Sequence, residues 1–132
     1  MNIGDMIKAL YDNATLDLSN MTFTELTSYS SNTGTPEGIS ASKQYTTTED
    51  CLILINLISY GYTGASTSIS YSDNSLVEKI IYNNESDAVT TGCGRQSFKI
   101  TLIKVKANCT ITISGTSNNS AFINGKMSKL ER

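Results

Sequence analysis

FKITLIKVKANCTITIS, residues 98–114, reads as two strands folded back at Lys106-Ala107-Asn108. Phe98, Ile100 and Leu102 alternate with Lys99 and Thr101, the period of two that sends successive side chains to opposite faces of a sheet. At Leu102-Ile103 the phase slips, and Ile103 and Val105 then alternate with Lys104 and Lys106. A slip of one residue turns buried side chains outward, so a β-bulge or strong twist is expected there. Past the turn, Cys109, Ile111 and Ile113 alternate with Thr110, Thr112 and Ser114. Such β-branched density suits a pleated, half-buried surface. The segment therefore predicts an all-β chain, and none of its residues does chemistry.

The 132 residues fit one domain, and a domain of this size buries roughly two-thirds of its unfolded surface without needing disulfides. Apolar residues make up 39%. Ser, Thr and Asn together supply about a third of the chain, a composition for short strands with hydroxyl-rich outer faces. Net charge is −2, from ten basic and twelve acidic residues spread without runs. No basic stripe is present, so nucleic-acid binding is not expected. The opening MNIGDMIKALYDN lacks the basic and apolar regions of a secretory signal. No run approaches the ~20 apolar residues of a membrane-spanning helix, so membrane insertion is not expected. Three cysteines without a close pair argue against a disulfide framework. Cys51 and Cys109 sit in apolar strand patterns as small hydrophobes. Cys93 lies in a glycine-rich loop beside Arg95, but no histidine exists to serve as its base.

Ile3, Met6, Ile7 and Leu10 recur at i, i+3, i+4 and i+7, one face of a helix of about three turns. Residues 1–14 are thus expected to form a short N-terminal helix or stem, and 15–132 the sheet domain. So short a helix must dock its apolar stripe, either on its own domain or against other copies as an oligomer stem. Leu16, Leu18, Met21 and Phe23 suggest an irregular first strand, and 29–38 a loop. Ile39, Ala41, Lys43 and Tyr45 alternate as a second strand. Cys51–Ile58 then runs apolar on both faces. A strand of an antiparallel sheet should show one wet face, so one flank needs cover from a helix, a loop or a neighbouring subunit. Ile53 and Ile55 are candidate interface positions for such cover. Strands are further expected over 66–72, 76–82 and 121–127, with a loop over 83–94 and a bend at Asn124-Gly125. Strands at 8–12-residue spacing, punctuated by Gly, Asn and Asp, predict an antiparallel β-sandwich or jelly roll.

KVKANCTITIS, YTTTEDCLILINL and the closing SAFINGKMSKL together resemble segments of jelly-roll head domains in phage tail fibres and related virion proteins. The tumour-necrosis-factor-like and complement-type trimeric jelly rolls show similar patterns. Cys51 and Asn108 stand where those domains usually carry glycine, although Asn tolerates the left-handed conformation. The resemblance implies a jelly-roll-type sandwich forming a homotrimer. It further implies a non-enzymatic phage or prophage structural protein, made in the bacterial cytoplasm and carried in the virion. Such a head often contacts a host-surface glycan or protein. A capsid-decorating or tail accessory protein that binds only other virion proteins is the second reading.

Catalytic chemistry finds little material. There is no Cys/His cluster for zinc, and no nucleophile-elbow or phosphate-loop sequence. No cofactor is expected. Asp73 with Asn74, and Glu85 with Asp87, lack the spacing of a calcium loop and read as solvated turns. Glu49 and Asp50 are strand neighbours that point to opposite faces, unlike the carboxylate pair of a glycosidase. Tyr60 and Tyr62, in a glycine-containing turn, are the candidate ligand contacts. Tyrosine presents an apolar ring with a polar tip, useful for stacking on sugar or for protein contact. Ordinary packing at the end of the domain is the alternative for both rings.

Overall fold

The computed structural model describes residues 22–32, 38–91, 94–119 and 121–131, with the backbone alone over 81–91. The expected N-terminal helix with Ile3, Met6, Ile7 and Leu10, and the Cys93 thiol, lie outside the described residues. Among these, eight strands appear: β1 (Thr22–Asn32), β2 (Ile39–Thr46), β3 (Cys51–Gly61), β4 (Gly64–Tyr71), β5 (Val77–Thr91), β6 (Gly94–Val105), β7 (Thr110–Asn118) and β8 (Phe122–Glu131). They form a five-stranded sheet in the order β1-β8-β3-β6-β5 and a three-stranded sheet in the order β2-β7-β4. All pairings are antiparallel. The chain is an all-β, two-sheet sandwich.

One set of alternating residues from each strand meets between the sheets. Ile53, Ile55 and Leu57 of β3, Ile103 and Val105 of β6, Ile111 and Ile113 of β7, and Ile123 and Met127 of β8 belong to a single buried cluster. Each such side chain contributes about 1.5–3 kcal/mol through burial. Tyr29 joins this cluster from β1, so the loop expected to start at residue 29 is strand as far as Asn32. Its ring packs against Gly125, where an added Cβ would sit 2.3 Å from the ring. That close approach explains the glycine in mid-strand: Asn124-Gly125 continues β8 and makes no bend. The Tyr29 and Ser59 hydroxyls are buried here without a hydrogen-bond partner. Burial pushes the Tyr29 hydroxyl up to about 12.

The two strands read from 98–114 do not pair with each other. β6 lies in the five-stranded sheet and β7 in the three-stranded one, so Lys106-Ala107-Asn108 is an arch between sheets rather than a hairpin turn. Ile111 and Ile113 face Ile103 and Val105 across the core instead of lying beside them. The expected phase slip in β6 is absent too. Its register with β3 runs unbroken from Cys51↔Val105 to Gly61↔Arg95. Thr101, Ile103 and Val105 point inward, while Phe98, Ile100 and Leu102 occupy the outer face. The irregularity sits on the neighbouring strand, where the β5 register shifts between Lys79 and Ile81, opposite Ile103 and Leu102. β5 also continues through the loop expected over 83–94, closing on β6 at Thr91↔Gly94.

A second arch, between β2 and β3, is tied to the first through Thr47. Its hydroxyl donates to Lys106 O at 2.7 Å and accepts from Cys109 N at 3.0 Å. The Thr47 backbone bonds Cys109 O and accepts from Asn108 N. Ala107 N donates to Asp50 Oδ1 at 3.0 Å. Asn108 adopts φ 68°, the left-handed conformation that asparagine tolerates. The YTTTED and KVKANC segments are therefore adjacent in space.

Candidate functional site

Strand β3 decides which surface is available, because it carries apolar residues on both flanks. Ile53 and Ile55 are 0% exposed and face the core. The expectation that they form an oligomer interface is corrected: a second copy cannot reach them. The period of two leaves Leu52, Leu54, Asn56, Ile58 and Tyr60 on the outer face, and any contact through β3 belongs to that set.

The registers arrange this outer face in rows across β8, β3 and β6. Leu52 lies beside Lys104, with Leu130 just beyond the end of the β3–β8 ladder at Ile53↔Lys129; then come Ser128, Leu54 and Leu102; then Lys126, Asn56 and Ile100. Asn124, Ile58 and Phe98 follow, and Phe122, Tyr60 and Gln96 close the series. In the first two rows Leu52, Leu102, Ser128 and Leu130 are buried, while Leu54 and Lys104 are half-buried. In the last three, Asn56, Lys126, Asn124, Phe122 and Ile100 are exposed while Ile58, Phe98 and Tyr60 are half-buried. Asn56, Ile58, Asn124 and Lys126 line a shallow depression of about 260 Å³.

The aromatic end of this surface unites the two tyrosines singled out in the sequence. Tyr60 stacks on Phe122 with centroids 5.6 Å apart and planes 20° apart. Tyr62 meets Tyr60 edge-on at 6.3 Å. Such arrangements suit the ring quadrupoles. Tyr60 is half-buried, its hydroxyl over Gly94, where a Cβ would lie 2.4 Å away. Tyr62 and Phe122 are 47% and 40% exposed. Gly61 holds the turn, since a Cβ there would meet Asn118 O at 2.5 Å. Phe122 was not singled out in the sequence, although its place out of phase with Ala121 and Ile123 is the signal for an outward ring.

Of the acidic candidates, Asp73, Glu49 and Asp50 have structural partners, and the side chains of Glu85 and Asp87 lie outside the described residues. Asp73 Oδ1 accepts from Ser75 N and Oγ at 2.9 and 2.7 Å, capping a 3₁₀ turn at Asn74–Leu76. Those bonds hold its carboxyl below the usual range. Glu49 pairs with Lys129, whose ammonium also lies 3.4 Å from Glu131. The hydrogen bond to Glu49 leads the causes that raise the Lys129 pKa. Cys51 is buried, and burial pushes its thiol up to about 11 despite the nearby Lys129. Among the described residues no group of three acidic, cysteine or histidine side chains is placed to hold a metal ion. No helix of the described residues is long and apolar enough to cross a membrane. No family model, curated protein or solved structure matches this chain.

Proposed function

We propose that this chain is a non-enzymatic binding module, a receptor-binding head of a phage or prophage tail fibre that works as a homotrimer and meets a host-surface glycan or protein. The observation that carries the reading is the exposed aromatic cluster of Tyr60, Tyr62 and Phe122. Beside it stand two carboxamides, Asn56 and Asn124, and the ammonium of Lys126. A ring face, amide groups and one cation on a stiff sheet offer stacking and directed hydrogen bonds at little ordering cost. The strand orders 1-8-3-6 and 2-7-4 support the jelly-roll form of the sandwich, with β5 carried over to the larger sheet. Glu49, Asp50 and Asp73 are each engaged in turn or edge contacts, which favours binding over hydrolysis.

Binding of the fluorescently labelled protein to host cells and to a glycan array tests this reading. The wild type is expected to bind, and Phe122→Ala and Tyr62→Ala to lose most of the signal while keeping their thermal stability. Undiminished binding by both variants sinks the aromatic site. A monomer in light scattering at working concentration removes the trimer. The apolar trio of half-buried Ile58 and Phe98 with exposed Ile100 favours a second reading, a capsid-decorating or tail accessory protein that contacts only other virion proteins. Pull-down of virion proteins without any host ligand would select it.

A further inference from the structure

The exposed half of the outer face carries charge of one sign. Its three rows continue onto β1, where Ser28, Ser30 and Asn32 lie opposite Lys126, Asn124 and Phe122. Across β1, β8, β3 and β6 these rows hold hydroxyls, carboxamides, apolar groups and aromatic rings, and one charged residue, Lys126. The chain carries twelve acidic residues, yet none falls on this part of the face. The nearest along β1 is Glu25, opposite Ser128 in the following row. Two other lysines of the same sheet are engaged: Lys129 pairs with Glu49 and Glu131, and Lys99 donates to Thr67 O at 3.0 Å. Lys126 is exposed and enters no ion pair among the described residues. It lines the depression of about 260 Å³ together with Asn56 and Asn124.

We propose that this surface takes an acidic oligosaccharide, with a monoanionic group of the glycan, a sugar carboxylate or a phosphodiester, at Lys126 and a further sugar unit on the rings of Phe122 and Tyr62. The inference rests on this surface being the ligand site, and it adds the charge and the size of the ligand. The charge follows from complementarity. An ammonium on an acid-free surface attracts an anion and gives it a charge-assisted hydrogen bond, and such pairing sets specificity. A neutral glycan would shield the ammonium from water without supplying a counter-charge, which is unfavourable. Asn56 and Asn124 each offer both donors and an acceptor, which suits the hydroxyls flanking the anion. The size follows from the strand. Lys126 and Phe122 are four residues apart on β8, about 13 Å, farther than one sugar ring extends. The ligand therefore has at least two linked units, with Asn124 and Ile58 beneath the join.

A glycan array carrying carboxylated, phosphodiester-linked and neutral oligosaccharides tests this with the full chain. The wild type is expected to bind acidic members and to pass over neutral ones of the same backbone, with affinity falling several-fold as salt is raised. The class of acidic member that binds identifies the anion. Lys126→Gln is expected to lose about tenfold in affinity at unchanged Tm, and Lys126→Arg to restore most of the loss. Equal binding of acidic and neutral members overturns the proposal, and so does undiminished binding by Lys126→Gln. In either case a signal still lost in Phe122→Ala leaves the aromatic site standing. Binding through Lys126 to a host protein and to no glycan also overturns it, by making the ligand an acidic protein surface. A wild type that binds neither cells nor glycans overturns both readings.

Discussion

The two sheets bury similar inner faces, but their outer faces differ in kind. On the three-stranded sheet the outward rows are Ser40, Thr116 and Ser66; Ser42, Ser114 and Ser68; then Gln44, Thr112 and Ser70. Hydroxyls there bond one another across strands, as between Ser68 and Ser114, between Ser66 and Thr116, and between Thr46 and Thr110. Such a face is satisfied by itself and by water, and it needs no partner. The five-stranded sheet carries leucines at one end of its outer face and aromatic rings at the other. Leu52, Leu102 and Leu130 are buried at the first end, and Tyr62 and Phe122 are exposed at the second. Sheet position alone does not set the character of an outer face; the residues out of phase with the core do.

Matched substitutions break this contrast most sharply. Leu52→Asp and Ser114→Asp each place a carboxylate on an outer face, one per sheet. The Leu52 variant buries an unpaired charge and is expected to cost on the order of 3–5 kcal/mol. Ser114→Asp should stay within about 0.5 kcal/mol. Urea denaturation measures both, and equal costs would show that the two outer faces are alike after all. Next in size is Thr47→Val at the tie between the arches. It leaves Cys109 N without its side-chain acceptor in a buried site, at about 1–3 kcal/mol.

Much of this contrast was legible in the chain, and the exceptions have definite causes. Alternation marked β2, β6 and β7 as strands, because hydroxyls and apolar residues trade places at every step. It could not say which strands pair, since a period of two looks the same in a hairpin and in an arch between sheets. That is why Lys106-Ala107-Asn108 read as a hairpin turn. In β3, isoleucine and leucine fill both phases, so periodicity gave no reason to prefer Leu52 and Leu54 over Ile53 and Ile55 as the outer set. Tyr29 was hidden by its polar neighbours Thr27, Ser28, Ser30 and Ser31. Its place becomes plain only beside Gly125, far along the sequence. The proposed ligand surface was half visible: Tyr60 and Tyr62 stand together in the chain, whereas Phe122 joins them only through the β3–β8 register.

Alkaline pH gives an effect of intermediate size confined to the inner faces. The Cys51 thiol is raised from 9.0 to about 11 and the Tyr29 hydroxyl from 10.0 to about 12, both chiefly by burial. Each group is neutral when protonated, and the folded state holds its proton more tightly than the unfolded chain. Between the unfolded and folded pKa values the native state therefore binds more protons, and stability falls as pH rises. The loss should begin near pH 9 with Cys51, continue with Tyr29 and flatten only above about pH 12. Cys51→Ala shortens the early part of the decline at the cost of a small cavity. A stability curve flat from pH 9 to 12 would contradict the burial of both groups.

The smallest effect separates hydroxyls inside the sandwich from those outside it. Ser68 and Ser114 lose a bonded partner when either is truncated, whereas Tyr29 Oη has no partner to lose. Burying a hydroxyl without a hydrogen bond is itself unfavourable, so its removal relieves a cost. Tyr29→Phe keeps the ring over Gly125 and removes only that oxygen. It is expected to leave stability at neutral pH unchanged or to raise it by up to about 1 kcal/mol. The same variant should erase the Tyr29 share of the alkaline decline, leaving the Cys51 share in place. Chemical denaturation at neutral and at alkaline pH reads both outcomes from one protein. A clear loss of stability in the neutral series would mean that the hydroxyl is bonded within the core, and the inner face would then share the hydrogen-bonding character assigned to the outer rows.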